Sequence, residues 1–235
     1  MSSFATALPH GPITEVFPDV FVVQGDFRMG PLVSINRNMI VLRQGRNLTL
    51  LNAIRLSVAG EKELAALGEV RHLVKLGHFH NRDYAYTRDR FKPRFWSPSE
   101  ADAPDERLVE GAAGPVDRAE VFVFAGTGSR EAAFVLKQSQ GGLLLTCDSI
   151  QHWPNTQGCS FVGGLICKQM GFLSARAKIG PIWAKELTGK RPETLRPDFD
   201  RLLTRDFVHL LSGHGALLRD DARMEITTSA ATALR

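Results

Sequence analysis

Two histidines one residue apart, His78 and His80 in "KLGHFHNRDYAY", follow directly on an apolar run, and Asp83 comes three residues later. Two other polar residues occupy matching places. Asp148 follows the apolar run Leu143-Leu144-Leu145, and His214 follows Leu210-Leu211 in "LLSGHG". Imidazole nitrogen and carboxylate oxygen are donors that zinc prefers, and they also suit iron or manganese. Residues two apart in an extended chain point to one side, so His78 and His80 are expected to reach the same ion. Asp148 stands where a carboxylate bridges two ions, and Gly213 and Gly215 allow close backbone approach to a crowded site.

The elements that must position these residues are legible from period and punctuation. "EVFPDVFVVQG", "LVSINRNMIVLRQ" and "NLTLLNA" read as strands separated by turn signals. "SVAGEKELAALGEV" reads as a helix capped by Ser57, with Leu64 and Leu67 on one face, and "VRHLVKLG" as the strand that ends at the histidines. Ligands gather at the carboxyl ends of strands in such strand–helix–strand units. "YAYTRDRF" reads as a short helix, "RFWSP" as a strand, and "SEADAPDERLVEGAAGP" as a polar surface excursion. "AEVFVFAG", "EAAFVLKQ" and "GGLLLTCDS" read as three more strands. Residues 159–204 turn helical, with "PIWAKELTG" opened by Pro181 and closed by Gly189. "DFVHLLSGHG" is a last strand, and "RDDARMEITTSAATAL" a last helix. Two strand-rich halves, each finished by helices, predict two sheets flanked by helices.

The order HxH with a nearby Asp, then Asp after an apolar strand, then GHG before a final helix resembles the metallo-β-lactamase superfamily. The likeness runs from about residue 13 to the C-terminus and includes the strand–helix–strand entry into the first motif. It implies an αββα sandwich, taken as one domain over residues 1–235. It also implies one or two metal ions and, in most members, hydrolysis of esters, thioesters, amides or phosphoesters. The chain departs from the family pattern H-x-H-x-D-H, because Asp83 is one place late and Tyr84 stands after it. It departs again at "AGTGSREAAFVL", where Thr127 replaces the family's next histidine. His78, His80, Asp148 and His214 are the surviving ligand positions, with Asp83 a displaced fifth. A reduced, mononuclear site is therefore expected, with Thr127 facing it from the vacated position.

Composition narrows the remaining choices. The 235 residues are 43% hydrophobic and 23% charged, which describes a globular chain with a sizeable core. A net charge of +4 is too mild to argue for nucleic acid, whose only support is the basic and aromatic stretch "RDYAYTRDRFKPRFW". Three cysteines without a CxxC pair suit a reducing compartment. The N-terminus has no charged segment leading into an apolar one, and no apolar run has the length of a membrane helix, so the cytoplasm is expected. "GTGS" lacks the Gly-Lys-Ser ending of a phosphate loop. His10, His72 and His209 read as structural, and Cys147 as a small core residue.

The expected function is metal-dependent hydrolysis of a small-molecule substrate. His78, His80, Asp148 and His214 hold one transition-metal ion, zinc first among the candidates. Asp83 joins them or serves as general base. Arg82 or Arg88 steadies an anionic substrate, and Thr127 and His152 border the same pocket. The rival reading is a non-catalytic descendant of the fold, kept as a binding or interaction module. Plain roles exist for each residue: imidazoles bonded to each other or to Asp83, Asp148 as a turn cap, and a GHG turn kept for its glycines.

Overall fold

The computed structural model describes residues 4–235, so the reading of the N-terminus falls partly on residues outside those described. Strands β1 (Thr14–Phe17), β2 (Val20–Gly30), β3 (Val33–Gln44), β4 (Asn47–Leu51), β5 (Glu69–Val74), β6 (Arg94–Ser97) and β7 (Glu106–Arg107) form one sheet in sequence order. Neighbours β1 to β4 are antiparallel. From β4 to β7 they are parallel. Parallel neighbours need crossovers, and α1 (Val58–Leu67) and α2 (Tyr84–Phe91) supply the first two. The expected single strand "EVFPDVFVVQG" is divided instead. Pro18 lacks an N–H for the ladder, and Asp19 takes a left-handed turn at φ 63°.

The second half contains β8 (Ala119–Val123), β9 (Ala132–Leu136), β10 (Leu143–Leu145), the short pair β11 (Ile150–Gln151) and β12 (Lys178–Ile179), and β13 (His209–Leu211). Its main sheet has the order β13-β10-β9-β8. Helices α3 (Phe161–Gln169), α4 (Pro181–Leu187), α5 (Arg196–Leu202) and α6 (Ala222–Ala233) fill the rest.

Period-two alternation sorts the apolar residues into three layers. Ile40, Leu42, Phe134, Leu136, Leu143 and Leu145 meet between the sheets. Met39 and Val41, on the other face of β3, pack with Leu64 of α1 and Tyr84 of α2. Val135 and Leu144 pack with Trp183, Phe199 and Ile226 of α4, α5 and α6. The architecture is thus the expected αββα sandwich. Ser57 caps α1 as expected, its side chain accepting from the Gly60 N–H.

This topology also places the polar strand ends. β10 and β13 are parallel and in register, Leu145 opposite Leu211, so the segments holding Asp148 and His214 leave the sheet at the same end. The chain after β5 arrives there from the other sheet, carrying His80.

Phe134 is fully buried between the sheets. Truncation should leave a cavity, so Phe134→Ala should lose about 3–5 kcal/mol of stability. Ser57→Ala, which removes one helix cap, should lose about 1 kcal/mol. Urea midpoints at unchanged slope read both changes, and equal losses would contradict this division of the core.

Candidate metal centre

β5 ends at Val74, and residues 77–79 bend rather than continue the strand. The bend turns His80 inward, where it is 8% exposed. Its Nε2 lies 2.9 Å from Nε2 of His214. Asp148 sits under both imidazoles, Oδ2 at 3.4 Å from His80 and Oδ1 at 3.4 Å from His214. Among the described residues these three form the group of His, Cys, Asp and Glu donors close enough to share an ion. All their ligand atoms lie within 4.8 Å of one another.

The hydrogen bonds fix how the rings present themselves. Nδ1 of His214 is 2.6 Å from the Asn36 carbonyl oxygen. A carbonyl only accepts, so Nδ1 carries a hydrogen and Nε2 is the nitrogen turned toward His80 and Asp148. Two imidazole nitrogens at 2.9 Å need a proton or a cation between them. Donors of a tetrahedral ion with bonds of about 2.0–2.1 Å are about 3.3 Å apart, close to the separations here. Two imidazoles and a carboxylate therefore fit a divalent transition metal, and leave coordination positions open to a substrate.

Neighbouring groups hold this geometry. Burial pushes the pKa of His80 below its usual value, with Asp148 opposing the shift. Burial alone would raise Asp148, but His80 and His214 more than offset it and hold the carboxyl well below the usual range. Gln151 donates from Nε2 to Asp148 Oδ1 at 3.3 Å, and its own oxygen accepts from Trp153 Nε1 at 2.7 Å. The Trp153 ring stacks on His214 at 5.9 Å between centroids. Asn38 donates to the carbonyls of Ser212 and Gly215, so β3 grips the turn that carries His214. Gly215 takes φ 78°, and a Cβ there would stand 2.0 Å from the His152 carbonyl.

Glu131 completes the support. It is fully buried, and its Oε1 accepts from the backbone N–H groups of Asp148 at 3.0 Å and Ser149 at 2.9 Å. Among the described residues its Oε2 has no hydrogen-bond partner, and it faces Gly77, whose missing side chain would stand 2.5 Å away. Burial, reinforced by the Asp148 charge, pushes the Glu131 carboxyl well above the usual range. Glu131, Gln151 and Trp153 escaped the sequence reading. A lone acid heading the apolar strand "EAAFVL" was the available signal for the first.

The other expected site residues lie elsewhere. His78 is exposed and lies outside the three-donor group, its ring edge-on to Phe79 at 5.3 Å. The same-side rule assumes an extended chain, and the bend at 77–79 removes that condition. Asp83 is 1% exposed and bound by two guanidiniums, Arg37 through Nη2 and Arg82 through Nη1. Its carboxylate is committed to them, which leaves it neither a ligand of this group nor a free base. Thr127 sits in a turn, Oγ1 donating to the Phe124 carbonyl at 2.7 Å and accepting from the Arg130 N–H, away from the cavity. His152 is buried with Nε2 3.3 Å from the Ala175 carbonyl and does not line the cavity. Arg88 pairs with Asp105 and covers the Phe95 ring. Arg82 does reach the cavity wall.

That cavity, about 160 Å³, opens above His80, Asp148 and His214. Its walls are mostly apolar, with Phe27, Ile35, Phe79, Trp153, Phe172 and Trp183 among them.

No protein-family model matches the chain, and no curated protein does. Solved structures do match over nearly its whole length. The metallo-β-lactamase FIM-1 from Pseudomonas aeruginosa, in its mono-zinc form, is 9% identical with TM-score 0.64, covering 97% of each chain. The metallo-β-lactamase DIM-1, exposed to ceftazidime, is 12% identical with TM-score 0.64, covering 97% of this chain and all of that one. A metallo-β-lactamase from Erythrobacter litoralis is 9% identical with TM-score 0.59, covering 93% and 91%. The fold is that of the metallo-β-lactamases.

Glu131 gives a pH-dependent prediction. Its native pKa lies above its value in the unfolded chain, so the native state holds a proton that the unfolded state has lost. Stability from this group is present below about pH 4.5 and declines as pH rises toward the native pKa. Glu131→Gln keeps the accepting oxygen and removes the titration. The variant should melt higher than the parent, by a wider margin at about pH 8 than at about pH 5. A margin independent of pH in thermal melts would refute this account.

Proposed function

We propose that this protein is a metal-dependent hydrolase working with a single ion held by His80, Asp148 and His214. One observation carries the reading: two imidazole Nε2 atoms and one carboxylate converge, buried, on the floor of an apolar cavity. The same fold in FIM-1 has been seen with one zinc ion, which supports a mononuclear reading here. Zinc is the first candidate, and the two-histidine, one-carboxylate set also suits iron or manganese.

When bound, such an ion supplies Lewis acidity, polarising a carbonyl or phosphoryl oxygen and lowering the pKa of water. The chain's own residues do the rest. Asn36 and Trp153 set the ring of His214, and Gln151 sets the carboxylate of Asp148. Phe79, Phe172 and Trp183 exclude bulk water and cover the apolar part of a small-molecule substrate. Lower dielectric inside the cavity strengthens each charge that faces it.

Metal stoichiometry and affinity test the reading. Competition with a chromophoric chelator should show about one equivalent of zinc per chain, the number of ions three ligands can hold. Loss of an outer partner of a metal ligand typically costs 10–100-fold in affinity, so His80→Ala, Asp148→Ala and His214→Ala should each cost about that or more. The same three should abolish hydrolysis of activated esters. His78→Ala should leave affinity unchanged, since its ring lies outside the group. Protein that stays empty after zinc addition would favour the binding-module reading over the hydrolase.

A further inference from the structure

Large apolar side chains left in water are ordinary singly and informative when they gather. Ten are exposed among the described residues, and six of these sit on two adjoining segments. Met29 and Leu32 belong to the β2–β3 hairpin, and Phe161, Val162, Leu165 and Met170 to α3 and its end. Phe161 is 90% exposed and Leu32 74%. Ser160, which caps α3, ties the segments together. Its Oγ donates to the Leu32 carbonyl at 2.9 Å and accepts from the Ser34 N–H at 3.0 Å. Helix and hairpin touch closely, since a Cβ at Gly163 would stand 2.0 Å from the Ser34 carbonyl oxygen. A surface helix ordinarily turns its apolar stripe inward. α3 instead buries Gly163, Gly164 and Cys167 and leaves its larger apolar residues to water.

The charges around this patch are lopsided. Residues 149–180, which include α3, carry Lys168, Arg176 and Lys178 and no aspartate or glutamate. Lys168 is exposed on α3, and Lys178 donates from Nζ to the Gly171 carbonyl just beyond it at 3.1 Å. Arg176 lines a surface groove with Met170. The hairpin adds Arg28, next to Met29. Among the described residues none of these four cations makes a salt bridge. Burial, and then the charges of Arg55 and Arg28, lower the pKa of Arg82, so further cations stand behind the hairpin. The opposing acids are fewer. Asp26 lies on β2, Glu225 accepts from the Ala177 N–H at 2.7 Å, and Asp83 is shared by Arg37 and Arg82. The border stays positive.

We infer that this face docks on an anionic lipid surface, with the hairpin turn and α3 dipping into the headgroup region. Such a surface holds an apolar centre by its buried area, and a Lys and Arg border by attraction to the lipid charge. A second copy of the chain fits poorly, because it would bring the same cations to the contact. An acidic protein would match the charge but stopper the cavity, whose lining includes the exposed Met29 and Phe79 and Cys167 of α3. A lipid surface instead leaves apolar chains at that mouth. The docking is peripheral. α3 has nine residues, and no helix among the described residues is long and apolar enough to cross a membrane. Entry of substrate from the lipid rests on the proposed hydrolase reading. The docking itself does not.

Vesicle flotation of the full chain, with chelator present, tests the inference. The protein should float with vesicles of phosphatidylcholine and phosphatidylglycerol in equal parts, and stay behind with phosphatidylcholine alone. A cation near an anionic surface is worth about fivefold in affinity, so Lys168→Gln and Arg176→Gln should each lose about that. Phe161→Ser removes a whole apolar ring and should lose about tenfold or more. Val109→Ser, at an exposed apolar residue of another segment, should lose nothing. All four positions are exposed, so the variants should keep the parent's urea midpoint. Phe161→Trp should shift its emission to the blue on the mixed vesicles, which adsorption by charge alone would not cause. Full affinity in Phe161→Ser would overturn the inference, as would an unshifted Phe161→Trp or equal binding to both kinds of vesicle. A dimer that Phe161→Ser splits into monomers would also overturn it, by making the face a contact between copies. Failure of the zinc titration would leave these outcomes untouched, so the two readings fail separately.

Discussion

A charged carboxylate taken out of water must be answered by donors, because an uncompensated buried charge costs several kcal/mol. Asp148 is 7% exposed, and the residues around it are organised by that requirement. His80 and His214 meet its two oxygens, Gln151 donates to one of them, and the Cys147 thiol donates to the other at 3.3 Å. Glu131 holds the backbone on which it sits. His214, Gln151 and Glu131 each have a second hydrogen-bonded contact, so the carboxylate is fixed by a network rather than by one bond.

That network lies at the seam between the two sheets, which explains its unusual stock of buried amides. Asn36 and Asn38 belong to the first sheet and bond the 212–215 turn beyond the second. Their alternation continues that of Ile40 and Leu42, so the same strand face that packs apolar side chains deeper in the sandwich turns polar at its end. Arg37, between them, points to the opposite face and meets Asp83 at the start of α2. One strand thus steers both the His214 turn and the cationic wall of the cavity.

The sandwich was legible because its signals are periodic. Leu143, Leu144 and Leu145 alternate between two cores, and Ser57 and Pro181 mark helix starts where expected. His80, Asp148 and His214 were legible as polar residues at strand ends. The failures fall where the chain is irregular. The bend at 77–79 defeats spacing arguments for His78, and the turn at 124–130 consumes Thr127. Asp83 was misplaced for a different reason. Its partner Arg37 is 46 residues away, and no local pattern announces a pair that distant. The polar triplet "NRN" inside an apolar strand was the signal available for Arg37.

The parallel pairing of β10 with β13 has a consequence for how the protein is made. The first sheet uses strands in the order in which a ribosome delivers them, and each can pair with one already emerged. The second sheet breaks that order: β10 waits through the whole α3-to-α5 region before β13 arrives to cover its edge. Until then Leu143 to Leu145 present an apolar edge, the kind of surface that invites wrong partners during synthesis. His214 comes with the last strand. A nascent chain therefore completes most of its scaffold before His80, Asp148 and His214 can meet.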